Sequence, residues 1–135
     1  MVEVDVYYDW SANTPTTVST PAELDAVLDN VAATGSPQVA QLVIHGDPRR
    51  GMLDVGLHAE RARGALYFAG GQYRRGCVSH GPETASEDVI YVYMGNAREF
   101  PATAEVPIAD ARKAAHEFMA AGGERPKVVA WSENL

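Results

Sequence analysis

The sequence predicts an α+β fold, an antiparallel meander sheet of about six or seven strands with two amphipathic helices packed on one face. Two segments, opening at Pro21 and Pro107, carry apolar residues at helical spacing and are each closed by glycine. Between them, alternating and β-branched runs follow one another across short Gly-rich turns, the pattern of a meander rather than of parallel βαβ units. No repeat, linker or compositional break divides the 135 residues, so a single domain over 1–135 is expected.

Taken in order, Val2, Val4, Val6 and Tyr8 alternate with Glu3, Asp5, Tyr7 and Asp9, the period of a half-buried strand. Ser11 to Ser19 reads as a polar loop around Pro15. Thr20-Pro21-Ala22-Glu23 is a capping box with proline at the first helical position. Leu24, Val27, Leu28 and Val31 form the stripe that this helix buries, and Gly35-Ser36-Pro37 ends it. On its exposed side Asp25 and Asp29 stand one turn apart, a like-charge pair costing roughly 0.2–0.5 kcal/mol. Ala40–His45 predicts an interior strand and Gly46-Asp47-Pro48 a turn. Leu53, Val55 and Leu57, alternating with Met52, Asp54 and Gly56, pair as a hairpin with Gly64–Ala69, in which Leu66 and Phe68 point inward. Gln72–His80 is a weaker strand, and Asp88–Met94, β-branched and aromatic throughout, the strongest; Gly95-Asn96 ends it.

The second helix is the best-specified element. Pro107 suits its first position, and Ile108, Ala111, Ala115, Phe118 and Met119 recur on one face. Gly122-Gly123 accepts the left-handed conformation that closes a last turn, and Pro126 forbids resumption. Lys127–Trp131 then reads as a short terminal strand, with Trp131 in the core beneath the helix.

An apolar fraction of 46% and a charged fraction of 21% are those of a globular protein, and no apolar run is long enough to span a membrane. The acidic start MVEVDVYYDW has no signal-peptide pattern, and one cysteine, Cys77, suits a reducing compartment, so a cytoplasmic location is expected. The net charge of −7 is unevenly placed. Residues 1–48 hold Glu3, Asp5, Asp9, Glu23, Asp25, Asp29 and Asp47 with no Lys or Arg, residues 49–75 carry +4 and residues 76–135 carry −4. Phosphates would be repelled, so direct nucleic-acid binding is not expected, whereas a basic protein partner would be steered in; solubility alone is the other reading of the same acids.

Catalytic chemistry finds no constellation. His45, His58, His80 and His116 stand apart, and Cys77-x-x-His80 is one chelating pair where zinc needs three or four ligands. Gly70-Gly71 precedes no P-loop lysine, and Ser79 and Ser132 lack a nucleophile-elbow context. The H-x-E with P-C-x-x-C pattern of the zinc deaminases is absent. No catalytic residue, metal or cofactor is therefore expected. Trp, Tyr and Arg dominate interface energies, which singles out Trp10 at a strand end and Tyr73 near a turn, beside Asp9, Asp25, Asp29 and Asp47, as candidate partner contacts.

Glu99-Phe100-Pro101, Val106-Pro107, Ala111, Phe118, Gly123, Arg125-Pro126 and Trp131 resemble the C-terminal signature of the first-numbered Imm family of bacterial immunity proteins. Leu53-x-Val55-Gly56 and Gly64-x-Leu66-Tyr67 add to the likeness. The resemblance implies an immunity-protein-like domain, not an enzyme, whose partner is a polymorphic toxin, often a nucleic-acid deaminase. On that reading the chain neutralises the toxin by occluding its active site. The alternative is a small-molecule-binding or enzymatic α+β domain with a pocket between sheet and helices.

Overall fold

The computed structural model of the chain describes residues 2–9, 11–12, 14–82, 84 and 87–133. Thr20 Oγ1 accepts the Glu23 amide at 3.2 Å while the Glu23 carboxylate accepts the Thr20 amide at 3.2 Å. With those donors satisfied, α1 spans Pro21–Ala32 and buries Leu24, Val27, Leu28 and Val31, as its spacing predicts. α2 spans Ile108–Ala120 and buries Ala111, Ala114, Ala115, Phe118 and Met119. Its end is a Schellman motif: the Gly122 amide donates to the Met119 carbonyl and the Gly123 amide to that of Phe118, with φ of 67° and 100° at the two glycines. Pro107 caps this helix rather than opening it, with φ −55° and ψ 141°.

The strands are β1 (Val4–Tyr7), β2 (Thr16–Val18), β3 (Gln38–Ile44), β4 (Met52–His58), β5 (Arg63–Gly70), β6 (Tyr73–His80), β7 (Asp88–Tyr93), β8 (Asn96–Pro101), β9 (Val106–Pro107) and β10 (Ala130–Glu133). They join one sheet ordered β10-β6-β5-β4-β3-β1-β2, antiparallel between neighbours. β9 pairs with β5, while β7 pairs with β8 and meets β3 in parallel at Gln38 and Val92. The fold is the expected α+β meander with more strands than the expected six or seven: ten among the described residues. The added ones are β2 and β9, which are short, and β8, which pairs with β7 across a two-residue turn. β2 interrupts the stretch read as a polar loop, and β10 begins at Ala130, three residues later than the expected terminal strand.

Both helices pack on one face, where Val4, Val6, Leu42, Leu53, Val55, Leu57, Leu66 and Phe68 meet α1 and α2 in the main core. The other face is not solvated. The β7–β8 hairpin covers it, forming a second core of Val39, Ala65, Tyr91, Phe100 and Ala104. Asp54 and Gly56, which alternation in β4 places opposite the helices, are therefore buried as well. Gly56 lies under Tyr91, where an added Cβ would stand 2.8 Å from the ring, and Gly64 lies under Ala111 of α2 at 2.6 Å. Both glycines of the upstream motif are thus sites of close approach.

Candidate functional site

Residues 1–48 build β1, β2, α1 and β3, and in the sheet order these three strands are the contiguous end β3-β1-β2. The seven acids of that segment, uninterrupted by Lys or Arg, therefore gather on one flank of the molecule. Because β1 and β3 run antiparallel, Asp9, just after β1, and Asp47, just after β3, mark opposite ends of it. Asp9 is exposed and accepts the Ser11 hydroxyl at 2.6 Å and its amide at 3.0 Å; those bonds hold its carboxyl below the ordinary value.

Asp25 and Asp29 stay exposed on α1, but they are not the bare like-charge pair expected. Arg112 of α2 lies between them, its Nη2 3.3 Å from Asp25 Oδ1 and 2.8 Å from Asp29 Oδ1. His116 Nε2 adds a contact of 2.7 Å to Asp25. The His116 hydrogen bond, followed by those from Arg112, lowers the Asp25 carboxyl below 3.8 despite some desolvation. The pair is a bridge between helices, and the cation comes from a residue 87 positions away. Asp47 makes no side-chain bond among the described residues. Trp10 lies outside the described residues.

Tyr73 belongs to a different place, at the start of β6. It lines a cleft of about 670 Å³ between the β5–β6 turn and the segment 123–131. The Arg125 guanidinium lies 4.0 Å over the Tyr73 ring centroid and 5.7 Å from that of Trp131. Tyr73 and Trp131 both meet Phe68 edge-on, at 6.0 and 6.3 Å between centroids. Trp131 is half-buried here, not sunk beneath α2 as expected, and its Nε1 donates to the Pro126 carbonyl at 2.8 Å. The irregular wall is also held from below, since Glu117 of α2 accepts the amides of Lys127 at 2.6 Å and Val128 at 3.1 Å. Arg125 Nη1 makes its polar contact with Cys77 Sγ at 3.6 Å. Burial pushes the Cys77 thiol up, so it stays protonated and inert at neutral pH.

The two buried carboxylates serve the hairpin. Arg98 of β8 pairs with Asp54, which is fully buried and also accepts Gln41 Nε2 at 3.0 Å. Arg98 lies 5.0 Å over the Tyr93 ring, and Tyr93 donates its hydroxyl to Gln41 Oε1 at 3.3 Å, closing a four-residue ring of contacts. Glu105, 1% exposed, accepts the Tyr91 hydroxyl at 2.8 Å and pairs with Arg61 at 3.1 Å. Burial, reinforced by Glu105, drives the Tyr91 hydroxyl far up. Among the described residues no group of three or more His, Cys, Asp or Glu could hold a metal ion. No helix there is long and apolar enough to cross a membrane.

The residues of the family signature fall into two sets. Phe100, Val106, Ala111 and Phe118 are buried, with Phe100 edge-on to Tyr91 at 5.5 Å; Glu99, Pro101 and Pro107 are exposed beside them. Arg125, Pro126 and Trp131 line the cleft. Spacing makes Arg125-Pro126 and Trp131 prominent, but no local signal joins them to Arg50 or to Tyr73, which lie far upstream in the sequence.

The described residues thus carry the acids of segment 1–48 at one end of the sheet, an aromatic cleft lined by Arg50, Tyr73, Arg125 and Trp131, and two buried acids engaged in packing, all on an α+β meander fold. The model of the family described as immunity protein Imm1 matches residues 12–133, nearly the whole chain, and the chain belongs to that family. Membership implies a toxin-neutralising immunity protein whose partner is a cognate toxin protein. A search of curated proteins finds no match.

Proposed function

We propose that the chain is a cytoplasmic immunity protein that neutralises a nucleic-acid deaminase toxin by covering the basic cleft in which the toxin captures its substrate, without itself making or breaking a bond. The observation that carries this reading is that the seven acids of residues 1–48, a segment without Lys or Arg, belong to β1, β2, β3, α1 and their loops at one end of the sheet, where Arg112 of α2 is engaged by Asp25 and Asp29. A cleft that accepts a polyanion is lined with cations, and an acidic flank complements it in charge. For a deaminase, blocking entry of the extruded base is enough, because the chemistry needs that base inside a closed pocket. Asp9, Asp25, Asp29 and Asp47 are the proposed electrostatic contacts, with Trp10 and Tyr73 as aromatic anchors.

Asp47 is the cleanest probe of the charge, because Asp25 and Asp29 already share Arg112. Asp47→Lys combined with Asp9→Lys is expected to slow association with the toxin domain encoded by the adjacent upstream gene by about ten-fold at low salt and little at high salt. Surface plasmon resonance at two ionic strengths measures this. An on-rate unchanged by the double reversal sinks the acidic-flank mechanism.

A further inference from the structure

Against its net charge of −7, the chain keeps a local surplus of cations in the cleft between the β5–β6 turn and segment 123–131. Arg50, Arg125 and Lys127 line it and Glu124 is its one acid. None of the three cations has a carboxylate partner among the described residues. Three arginines outside the cleft are paired with acids, Arg61 with Glu105, Arg98 with Asp54, and Arg112 with Asp25 and Asp29, whereas the exposed Arg49, Arg74 and Arg75 share with the cleft cations the lack of an acid partner among the described residues.

Arg125 is also held in place before any ligand arrives. The rings of Tyr73 and Trp131 hold its guanidinium face, and its hydrogen bond is the weak one to the Cys77 sulfur, so no oxygen among the described residues accepts from it. A guanidinium fixed against rings loses little side-chain entropy when it forms a forked pair with a carboxylate. Arg50 starts beside Gly70 at the β5–β6 turn, and its side chain crosses to pack against Gly122 and Gly123.

We propose that this cleft is the receptor for an acidic segment of the partner toxin, one carboxylate lying between Arg125 and Arg50 and a neighbouring apolar side chain against Phe68, Tyr73 and Trp131. The proposal rests on the reading of the chain as a protein-binding inhibitor and adds a second anchor of opposite sign to the acidic flank. The aromatic floor favours a peptide over a free inorganic anion, which would leave it unused. A nucleic acid is disfavoured because the chain as a whole carries a net charge of −7, which repels a polyanion longer than the cleft. Opposite charges at two separated places on one inhibitor also fix its orientation on the toxin, since a reversed pose sets like charges together.

The test titrates the purified full chain with acetyl-Leu-Glu-Glu-Leu-amide, following the indole N–H resonance of Trp131, assigned with Trp131→Phe. A saturable shift is expected. The Gln-Gln analogue and the exposed-site variant Arg50→Gln are each expected to weaken binding about ten-fold, and Arg125→Gln at least as much. Equal binding of the Gln-Gln peptide, indifference to Arg50→Gln, or tighter binding of inorganic phosphate or an oligothymidine than of the acidic peptide overturns the inference. The toxin domain supplies the second arm. If Arg50→Gln with Lys127→Gln leaves its affinity unchanged while the wild-type chain still neutralises it, the cleft proposal fails and the immunity reading stands.

Discussion

Arg98 reaches from β8 to an acid with no access to water, and the consequence is set by what remains if the arginine is removed. Burial pushes the Asp54 carboxyl above 3.8, against the pull of Arg98 and the Gln41 amide. Arg98→Ala should destabilise the fold by about 3–5 kcal/mol at neutral pH, because a buried charge loses its partner. The sign of the pH effect follows from the upward shift. A carboxyl raised by folding favours the folded state when protonated, so the deficit grows as pH rises from 3.8 through the raised value and shrinks on acidification. Urea denaturation of wild type and variant at pH 7 and pH 4 measures it; a deficit that increases on acidification would contradict this account. Asp54 also marks a limit of reading from sequence. Alternation in β4 places its face correctly, but that this face is covered depends on a hairpin that starts only at Asp88.

At the scale of elements, what could be read locally was read. The capping box, the buried stripe of α1 and the Gly122-Gly123 stop are written within a few residues of where they act. β8 was not, because its amphipathic signal is poor and its existence depends on the turn before it. Tyr93 and Asn96 pair across a two-residue loop with φ of 51° at Met94 and 80° at Gly95, the left-handed sign that a primed hairpin turn requires at both positions. Methionine is an uncharacteristic residue at the first of them, so the turn looked like a strand end. Met94→Asn should relieve the strain and stabilise the protein by about 0.5–1 kcal/mol, read as an upward shift in the thermal midpoint. The helix pair offers a test of opposite pH sign. Folding lowers the Asp25 carboxyl below 3.8, so its stabilising contribution is present above that value and disappears as pH falls through the lower folded one. Asp25→Asn should cost under about 1 kcal/mol at pH 7, given the exposure of the pair, and the gap to wild type should close in thermal melts taken at progressively lower pH below 3.8.

Across the whole molecule, the sheet order converts a charge pattern along the sequence into a pattern in space. The acids of residues 1–48 were visible from the start; that their strands are neighbours at one end of the sheet was not, because strand order depends on long-range pairing. The cleft was less legible still, since Arg50, Tyr73, Arg125 and Trp131 converge from four separate segments and the sequence showed only the last two as parts of one motif. Two surfaces of opposite charge on a domain of the Imm1 family fit inhibition by occupation rather than by reaction. The direct measurement is a titration of the cognate toxin domain's activity, proposed above to be deamination, with the purified chain at toxin concentrations well above the dissociation constant. The account predicts a linear loss of activity that ends at one equivalent, with the full toxin activity recovered after the complex is denatured and the toxin refolded alone. Complete inactivation at a small fraction of an equivalent, with a lasting change in the toxin's mass, would show that the chain acts as a catalyst and contradict it.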